Sequence, residues 1–171
     1  MVKMKEGDIV LLAKGDSLFD KLISHITGSS WIHAGLIFGV DSNIIKIAEA
    51  ATEGFSISHY DRFKTEQMIH ERKMLILRPD LPLTNIRTHM LNLRGRPYAF
   101  TDLINVLVHI ISGKKLFKES VQSLTCSEAV SYFLFLASDE QLDLSVEYDK
   151  SFGLITPEDI FRSQQLTEIE W

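Results

Sequence analysis

The sequence predicts an α+β fold in which a mostly antiparallel sheet packs against helices. Short β-rich runs separated by turn residues crowd into the first half of the chain. From Leu83 onward the apolar residues instead recur at helical spacing. Strands followed by helices are typical of the α+β class. Because 171 residues with 45% hydrophobic content suffice for one core, and no shift in composition marks a linker, we predict a single domain over residues 1–171.

The first predicted elements are a strand and a helix. Residues 9–12, Ile-Val-Leu-Leu, indicate a short buried strand. The Gly-Asp-Ser run at residues 15–17 breaks this strand and is a helix N-cap signal. Apolar residues at helical spacing then predict a helix over residues 18–26, which we expect to end at Gly28.

Further β-rich runs predict a hairpin and two more strands. Residues 33–40 and 43–50 flank the turn-forming residues 41–42, which indicates two antiparallel strands. Residues 55–58 and 73–77 predict the remaining strands. Most of the predicted sheet therefore comes from the first half of the chain.

The second half is predicted to be helical. One helix follows Leu83 and stops at Gly95, another covers the apolar segment at residues 103–111, and a third begins near Thr125. Proline at the first position and acids in the first turn predict a late helix at Thr156-Pro157-Glu158-Asp159.

Composition excludes several classes of function. The net charge of -5 and the lack of a dense Lys/Arg cluster argue against a nucleic-acid partner. The one cysteine, Cys126, cannot form an internal disulfide or a cysteine-based zinc site. Because the sequence also shows no visible cluster of metal ligands, we expect no metal and no cofactor.

The N terminus and the most apolar segment indicate where in the cell the protein is expected. The positive charges at the start are not followed by the apolar region of a signal peptide, so we expect a cytoplasmic protein as encoded. Residues 103–111 cover only about half of the roughly 20 residues that a membrane-spanning helix needs. We expect no transmembrane segment, although peripheral membrane contact is open.

Cys126 is the candidate nucleophile. Thr125-Cys126-Ser127-Glu128 has the form of a capping box, which places Cys126 in the first turn of a helix. Unpaired amides and the positive end of the helix dipole favour a thiolate there. The alternative is a buried cysteine that acts as a small hydrophobe.

His33 is the candidate base among six histidines. It opens a strand just after Trp31, and Gly35 lies on the same strand face, where it would leave room for substrate. The other histidines are expected to be ordinary surface or core residues: His25, His59, His70, His89 and His109.

Glu49 is the candidate orienting acid, at the end of an apolar alternation on the next strand. A three-residue loop that pairs Gly39 with Asn43 would put His33 directly opposite Glu49. A two-residue loop that pairs Val40 with Asn43 would put the two side chains on opposite faces. Glu49 could also be a solvated strand carboxylate, and Glu53 is a local rival.

The order histidine, acid, cysteine is carried by segments that resemble a known family, the circularly permuted papain-like hydrolases of the NlpC superfamily, in particular their YiiX-like branch. The resemblance covers nearly the whole chain. The matching segments are Glu6-Gly7-Asp8-Ile9-Val10, Trp31-Ile32-His33-Ala34-Gly35-Leu36, Ile47-Ala48-Glu49-Ala50, Gly95-Arg96-Pro97-Tyr98, Leu124-Thr125-Cys126-Ser127-Glu128 and Ile155-Thr156-Pro157-Glu158-Asp159.

The resemblance implies a permuted papain-like fold with the cysteine helix against the sheet. It makes Cys126 the nucleophile, His33 the base and Glu49 the orienting residue, and it places Tyr98 at the border of the active site. We predict substrate contacts at Tyr98, Gly35 and Trp31.

The resemblance leaves the substrate open. The first hypothesis is hydrolysis of an amide bond in a peptide or cell-wall-like substrate. The stretch from Tyr98 to Cys126 is long for compact peptidoglycan amidases, and its apolar residues 103–111 are either core or the lining of an acyl-chain site. The second hypothesis is therefore a lipid acyl ester or thioester hydrolase or acyltransferase, as in lecithin retinol acyltransferase-like proteins. The third is a catalytically silent binding protein.

The partner expected from these hypotheses is a peptide, a cell-wall fragment or an acyl lipid. A cell-wall substrate would require delivery outward by lysis or by specialised secretion. The sequence does not indicate an oligomeric state.

Overall fold

A six-stranded antiparallel sheet forms the centre of the molecule, with the strand order β4-β3-β2-β1-β5-β6. The computed structural model describes residues 3–15, 24–25, 28–99, 108–109, 112–114 and 123–170. The strands are β1 (Ile9–Ala13), β2 (Trp31–Val40), β3 (Ile44–Ala51), β4 (Gly54–Asp61), β5 (Met74–Pro79) and β6 (Leu166–Glu168).

Helices cover both faces of this sheet, which confirms the predicted α+β class. The helices of the described residues are α1 (Arg62–His70), α2 (Ile86–Leu93), α3 (Cys126–Ala137), α4 (Leu144–Glu147) and α5 (Pro157–Arg162), with a 3-10 turn at Phe152–Leu154. None of them is long and apolar enough to span a bilayer.

The alternation of side chains along β2 and β3 divides the apolar residues between two cores. Ala34 and Leu36 belong to the core that α3 enters with Val130 and Phe133. Side chains of the opposite parity, among them Ile37, Ile45 and Ile47, form a second core with Ile69 of α1. The sheet is therefore buried on both faces at its centre.

Several predicted boundaries need correction. The strand predicted at residues 55–58 continues to Asp61, and the strand predicted at residues 73–77 includes Pro79. Helix α1 was not predicted, because its nine residues bury only Thr65 and Ile69 and have almost no apolar stripe.

Two other predicted helices lie largely outside the described residues. These are the helix over residues 18–26 and the apolar segment at residues 103–111. The short strand β6, which pairs with the end of β5, had no sequence signal because only three residues form it.

Candidate active site

A β-bulge in the β2–β3 hairpin brings His33 and Glu49 onto one face of the sheet. Next to the turn, Val40 pairs with Ile45 and Gly39 with Lys46, but beyond the bulge Ile37 pairs with Ile47. The extra residue is Phe38. Without it the register would place Glu49 opposite Leu36, whose side chain lies on the other face.

Both predicted hairpin loops are wrong in detail. The turn spans residues 41–44 and is closed by the Asp41 amide, which donates to the Ile44 carbonyl at 2.8 Å. Glu49 lies opposite Gly35, so His33 is its diagonal neighbour and does not face it directly. The requirement that the two side chains share a face is nevertheless met.

His33 and Glu49 form a close pair. The distance from His33 Nε2 to Glu49 Oε2 is 2.7 Å, and only 6% of the Glu49 side chain is exposed. Glu49 is therefore not a solvated strand carboxylate. The rival acid Glu53 is exposed in the turn between β3 and β4.

The second oxygen of Glu49 accepts a hydrogen bond from a residue that the sequence analysis missed. Tyr60 donates its hydroxyl to Glu49 Oε1 at 2.8 Å. Burial would raise the pKa of Glu49, but hydrogen bonds from His33, Ser58 and Tyr60 and the charge of His33 hold it below its ordinary value. Tyr60 was missed because the strand was predicted to end before it.

Cys126 lies where the capping box predicted. The Glu128 amide donates to Thr125 Oγ1 at 3.2 Å, and the Thr125 amide donates to Glu128 Oε2 at 3.1 Å. Cys126 is the first residue of α3, and 7% of it is exposed. The cysteine therefore lies at the positive end of a twelve-residue helix that packs against β2.

Cys126 and His33 shift each other's proton affinity in opposite directions. Burial would raise the pKa of the Cys126 thiol, yet the charge and hydrogen bond of His33, helped by the Ala34 and Ser127 backbones, lower it. Burial would lower the pKa of His33, but the charge and hydrogen bond of Cys126, followed by those of Glu49, raise it well above 6.5. These shifts favour a thiolate beside an imidazolium.

Tyr98, the residue that the resemblance places at the border of the proposed active site, lies near Cys126. Its segment pairs in parallel with Leu124, whose amide donates to the Pro97 carbonyl at 3.0 Å. Burial raises the pKa of Tyr98, and the nearby charge of Cys126 raises it further. Tyr98 and Cys126 are thus held together by residues that immediately precede the helix.

The other two predicted substrate contacts are packing residues in this structure. Trp31 is 7% exposed, and its ring lies 5.6 Å from that of Phe161. A Cβ at Gly35 would come within 2.8 Å of Ile47 Cγ2 and 3.3 Å of Glu49 Cβ. The space beside Gly35 is therefore filled by β3 side chains, which corrects the expectation that it is left for substrate.

None of the remaining histidines lies on β2 or β3, the strands that carry His33 and Glu49. His25, His59 and His70 are exposed, and His89 and His109 are partly buried. Within the described part of the chain, no group of three or more His, Cys, Asp or Glu side chains is arranged to hold a metal ion.

Comparison with known proteins supports the fold alone. No family model matches this chain. No curated protein sequence matches it either. Among solved structures, the fold is similar to that of the metalloprotein YiiX from Escherichia coli O157:H7, with a TM-score of 0.62 over 97% of this chain and 96% of that chain, at 19% sequence identity. The chain therefore has a YiiX-like α+β fold.

Proposed function

We propose that this chain is a cysteine-dependent hydrolase of the permuted papain-like, NlpC type, acting on an amide bond in a peptide or cell-wall-like substrate. The observation that carries the proposal is one imidazole between a thiol and a buried carboxylate. His33 Nε2 contacts Glu49 at 2.7 Å, and the ring also hydrogen-bonds Cys126. A nucleophile, a base and an orienting group in this order are the parts of a catalytic triad.

Each residue has a separate role in the proposed reaction. The Cys126 thiolate attacks the carbonyl carbon, and the backbone amide of Cys126, the first residue of α3, donates to the developing oxyanion. The C–N bond then breaks as the His33 imidazolium gives its proton to the leaving nitrogen. Water, deprotonated by His33, attacks the acyl-enzyme, and breaking the C–S bond restores the thiolate.

The metal implied by the description of YiiX does not fit these side chains. One His33 nitrogen is bonded to Glu49, and the ring also bonds Cys126. A tetrahedral zinc site needs three or four ligands that converge on one point, and among the described residues no such group of His, Cys, Asp or Glu side chains is found. We therefore place no metal in the proposed reaction.

The first test is the rate of iodoacetamide alkylation of Cys126 against pH. The pair predicts a fast reaction well below the usual thiol pKa of about 8.5. His33→Ala should slow the reaction near pH 6 by about tenfold or more, since one pKa unit is a tenfold change in thiolate. His89→Ala, in the partly buried α2 histidine, is the matched control and should change nothing.

The second test compares substrates. Peptide amides, peptidoglycan fragments and long-chain acyl thioesters are assayed with the wild type and Cys126→Ser. Turnover of an amide that disappears in Cys126→Ser supports the proposal. Turnover of the thioester alone would instead favour a lipid acyl ester or thioester hydrolase or acyltransferase. An ordinary thiol profile that His33→Ala leaves unchanged contradicts the catalytic role and favours a binding protein on this fold.

A further inference from the structure

A buried carboxylate keeps its charge only if hydrogen bonds or opposite charges replace water. Only 5% of Glu49 is exposed. His33 bonds one carboxylate oxygen at 2.7 Å and Tyr60 bonds the other at 2.8 Å. Both carboxylate oxygens of Glu49 therefore have a hydrogen-bond partner. One partner is His33, the proposed base, and the other is Tyr60, which has no role in the proposed reaction.

Tyr60 reaches Glu49 along the sheet. In the β3–β4 pairing Tyr60 lies opposite Ile45 and Ser58 opposite Ile47, while Glu49 lies opposite Ser56. These side chains share one face because the strand period is two. Tyr60 lies farther along β4 than Ser58, so its long ring is needed to bring a donor to Glu49 from that position.

We propose that Tyr60 is a positioning residue, which holds Glu49 as a carboxylate aimed at His33 in acid conditions where this buried acid would otherwise take up a proton. The inference rests on the proposed function, because it assigns Tyr60 a role in maintaining the Cys126–His33 pair.

The chemistry of the two groups allows only one direction of donation. An ionised carboxylate can only accept, so the phenol must donate. Burial raises the pKa of Tyr60, and so do the charge and hydrogen bond of Glu49, which keep the phenol protonated. Charge-assisted bonds of this kind are stronger than neutral ones, so losing the donor favours the protonated acid.

The charged groups of the elements that pack against Glu49 contact Glu49 or Cys126, pair with each other, or are exposed. On β2 the facing group is His33, with Cys126 of α3 behind it. Helix α1 packs against β3 and β4, and its Arg62 and Glu66 pair with each other at 2.8 Å. The other titratable side chains of α1, Lys64 and His70, are exposed.

The direct test is a titration of Glu49 by ¹³C NMR of its side-chain carboxyl. In the wild type we expect a pKa below the ordinary glutamate value of about 4.3, and in Tyr60→Phe a rise of about one unit. Tyr148→Phe is the matched control, since it removes a phenol whose raised pKa has causes other than Glu49. An unshifted Glu49 pKa in Tyr60→Phe would overturn the inference.

A double-mutant cycle separates positioning from general structural support. In Tyr60→Phe, the acid limit of Cys126 alkylation should move up by about one pH unit, with rates above pH 7 unchanged. In a Glu49→Gln background the same change should have no effect, because no carboxylate remains to be held. An equal effect in both backgrounds would contradict the assigned role.

If Tyr60→Phe fails to fold, Ser58→Ala removes the second β4 donor, and the wild-type titration alone still decides whether Glu49 is held ionised. A wild-type Glu49 pKa at or above 4.3 would overturn the inference. A Cys126 alkylation profile of an ordinary thiol, together with a lowered Glu49 pKa, would contradict the proposed function. The proposed effect of Tyr60 on Glu49 would still stand.

Discussion

At the scale of single residues, the site depends on one imidazole with two different partners. Glu49 accepts from Nε2 at 2.7 Å, which leaves the other nitrogen for Cys126. Each partner stabilises the imidazolium, and the imidazolium stabilises both anions. The positive charge of His33 and the negative charges of Cys126 and Glu49 therefore stabilise each other.

The first prediction at this scale is that hydrolysis and alkylation respond differently to alkaline pH. The Cys126 pKa is lowered, so the thiolate is lost only as pH falls through that lowered pKa. The His33 pKa is raised above 6.5, so the imidazolium is lost only as pH rises through that raised pKa. Hydrolysis needs both forms and should give a bell, whereas alkylation needs the thiolate alone and should reach a plateau.

The measurement compares kcat/KM on the best amide found with the iodoacetamide rate, both from pH 4 to 11. The alkaline limb of hydrolysis should be absent from the alkylation profile. If both the hydrolysis and the alkylation rates decline at alkaline pH, unfolding of the protein explains the decline. A flat hydrolysis profile would show that His33 gives no proton to the leaving group.

The sequence singles out the three proposed catalytic residues because each carries a local signal. Cys126 follows a helix cap, His33 opens a β-rich run, and Glu49 interrupts an apolar alternation. Tyr60 has no such signal, since one aromatic residue in a polar run has no periodic context. Its contact with Glu49 depends on the length of β4, and strand ends depend on tertiary packing.

At the scale of secondary structure, the bulge at Phe38 decides whether the side chains of His33 and Glu49 share one face of the sheet. The residues next to the turn follow a register that would separate His33 and Glu49 onto opposite faces. A bulge shifts the pairing by one residue and restores a common face. Gly39 beside Phe38 is a residue type found at bulges, but a single glycine in a strand run does not fix the register. The sequence therefore allowed two hairpin loops to be proposed, and neither was correct.

Two helices begin with the same kind of threonine cap, so the effect of the Thr125 cap on Cys126 can be separated from its effect on stability. Thr125 caps α3 and Thr156 caps α5, each in a complete capping box. Both caps were predictable because their signals are local. Thr125→Ala and Thr156→Ala should each reduce the free energy of unfolding by about 1 kcal/mol.

Only the first substitution should change the thiol. Losing Thr125 loosens the first turn, where the Ser127 backbone helps to lower the pKa of Cys126, so the alkylation profile should shift to higher pH. Thr156→Ala should leave the profile unchanged at a matched loss of stability. Equal profiles in the two variants, measured beside urea denaturation, would contradict a role for the cap in activating the cysteine.

At the scale of the whole molecule, the site joins parts of the chain that are distant in sequence. His33 and Glu49 come from the hairpin, whereas Cys126 comes from a helix far along the chain. The sheet beneath them is tied together by the buried Asp8, which accepts two hydrogen bonds from Arg78 at 2.8 Å. Sequence patterns could predict the parts and their class, but the long-range junctions depend on side-chain and backbone contacts that no local pattern encodes.

The segment that carries Tyr98 contacts the start of β4 at Gly54 and Phe55. Phe55 donates its amide to the Arg96 carbonyl at 2.8 Å, two residues before Tyr98. Gly54 has a φ of +99°, and a Cβ there would lie 2.5 Å from the Arg96 carbonyl oxygen. Because the segment from Pro97 to Ala99 also pairs with Leu124, this contact connects β4 to the start of the cysteine helix.

The last prediction is that Gly54→Ala disturbs the active site as well as stability. Gly95 is the control, since its φ is +82° but a Cβ there would meet nothing within 4 Å. Both alanine variants should therefore incur the backbone strain of about 1–3 kcal/mol, measured by urea denaturation. Only Gly54→Ala must also push the Arg96 carbonyl away, which displaces Tyr98 from Cys126 and should raise KM and alter the alkylation profile. Equal effects of the two variants on KM and alkylation would show that the position of Tyr98 does not depend on this contact.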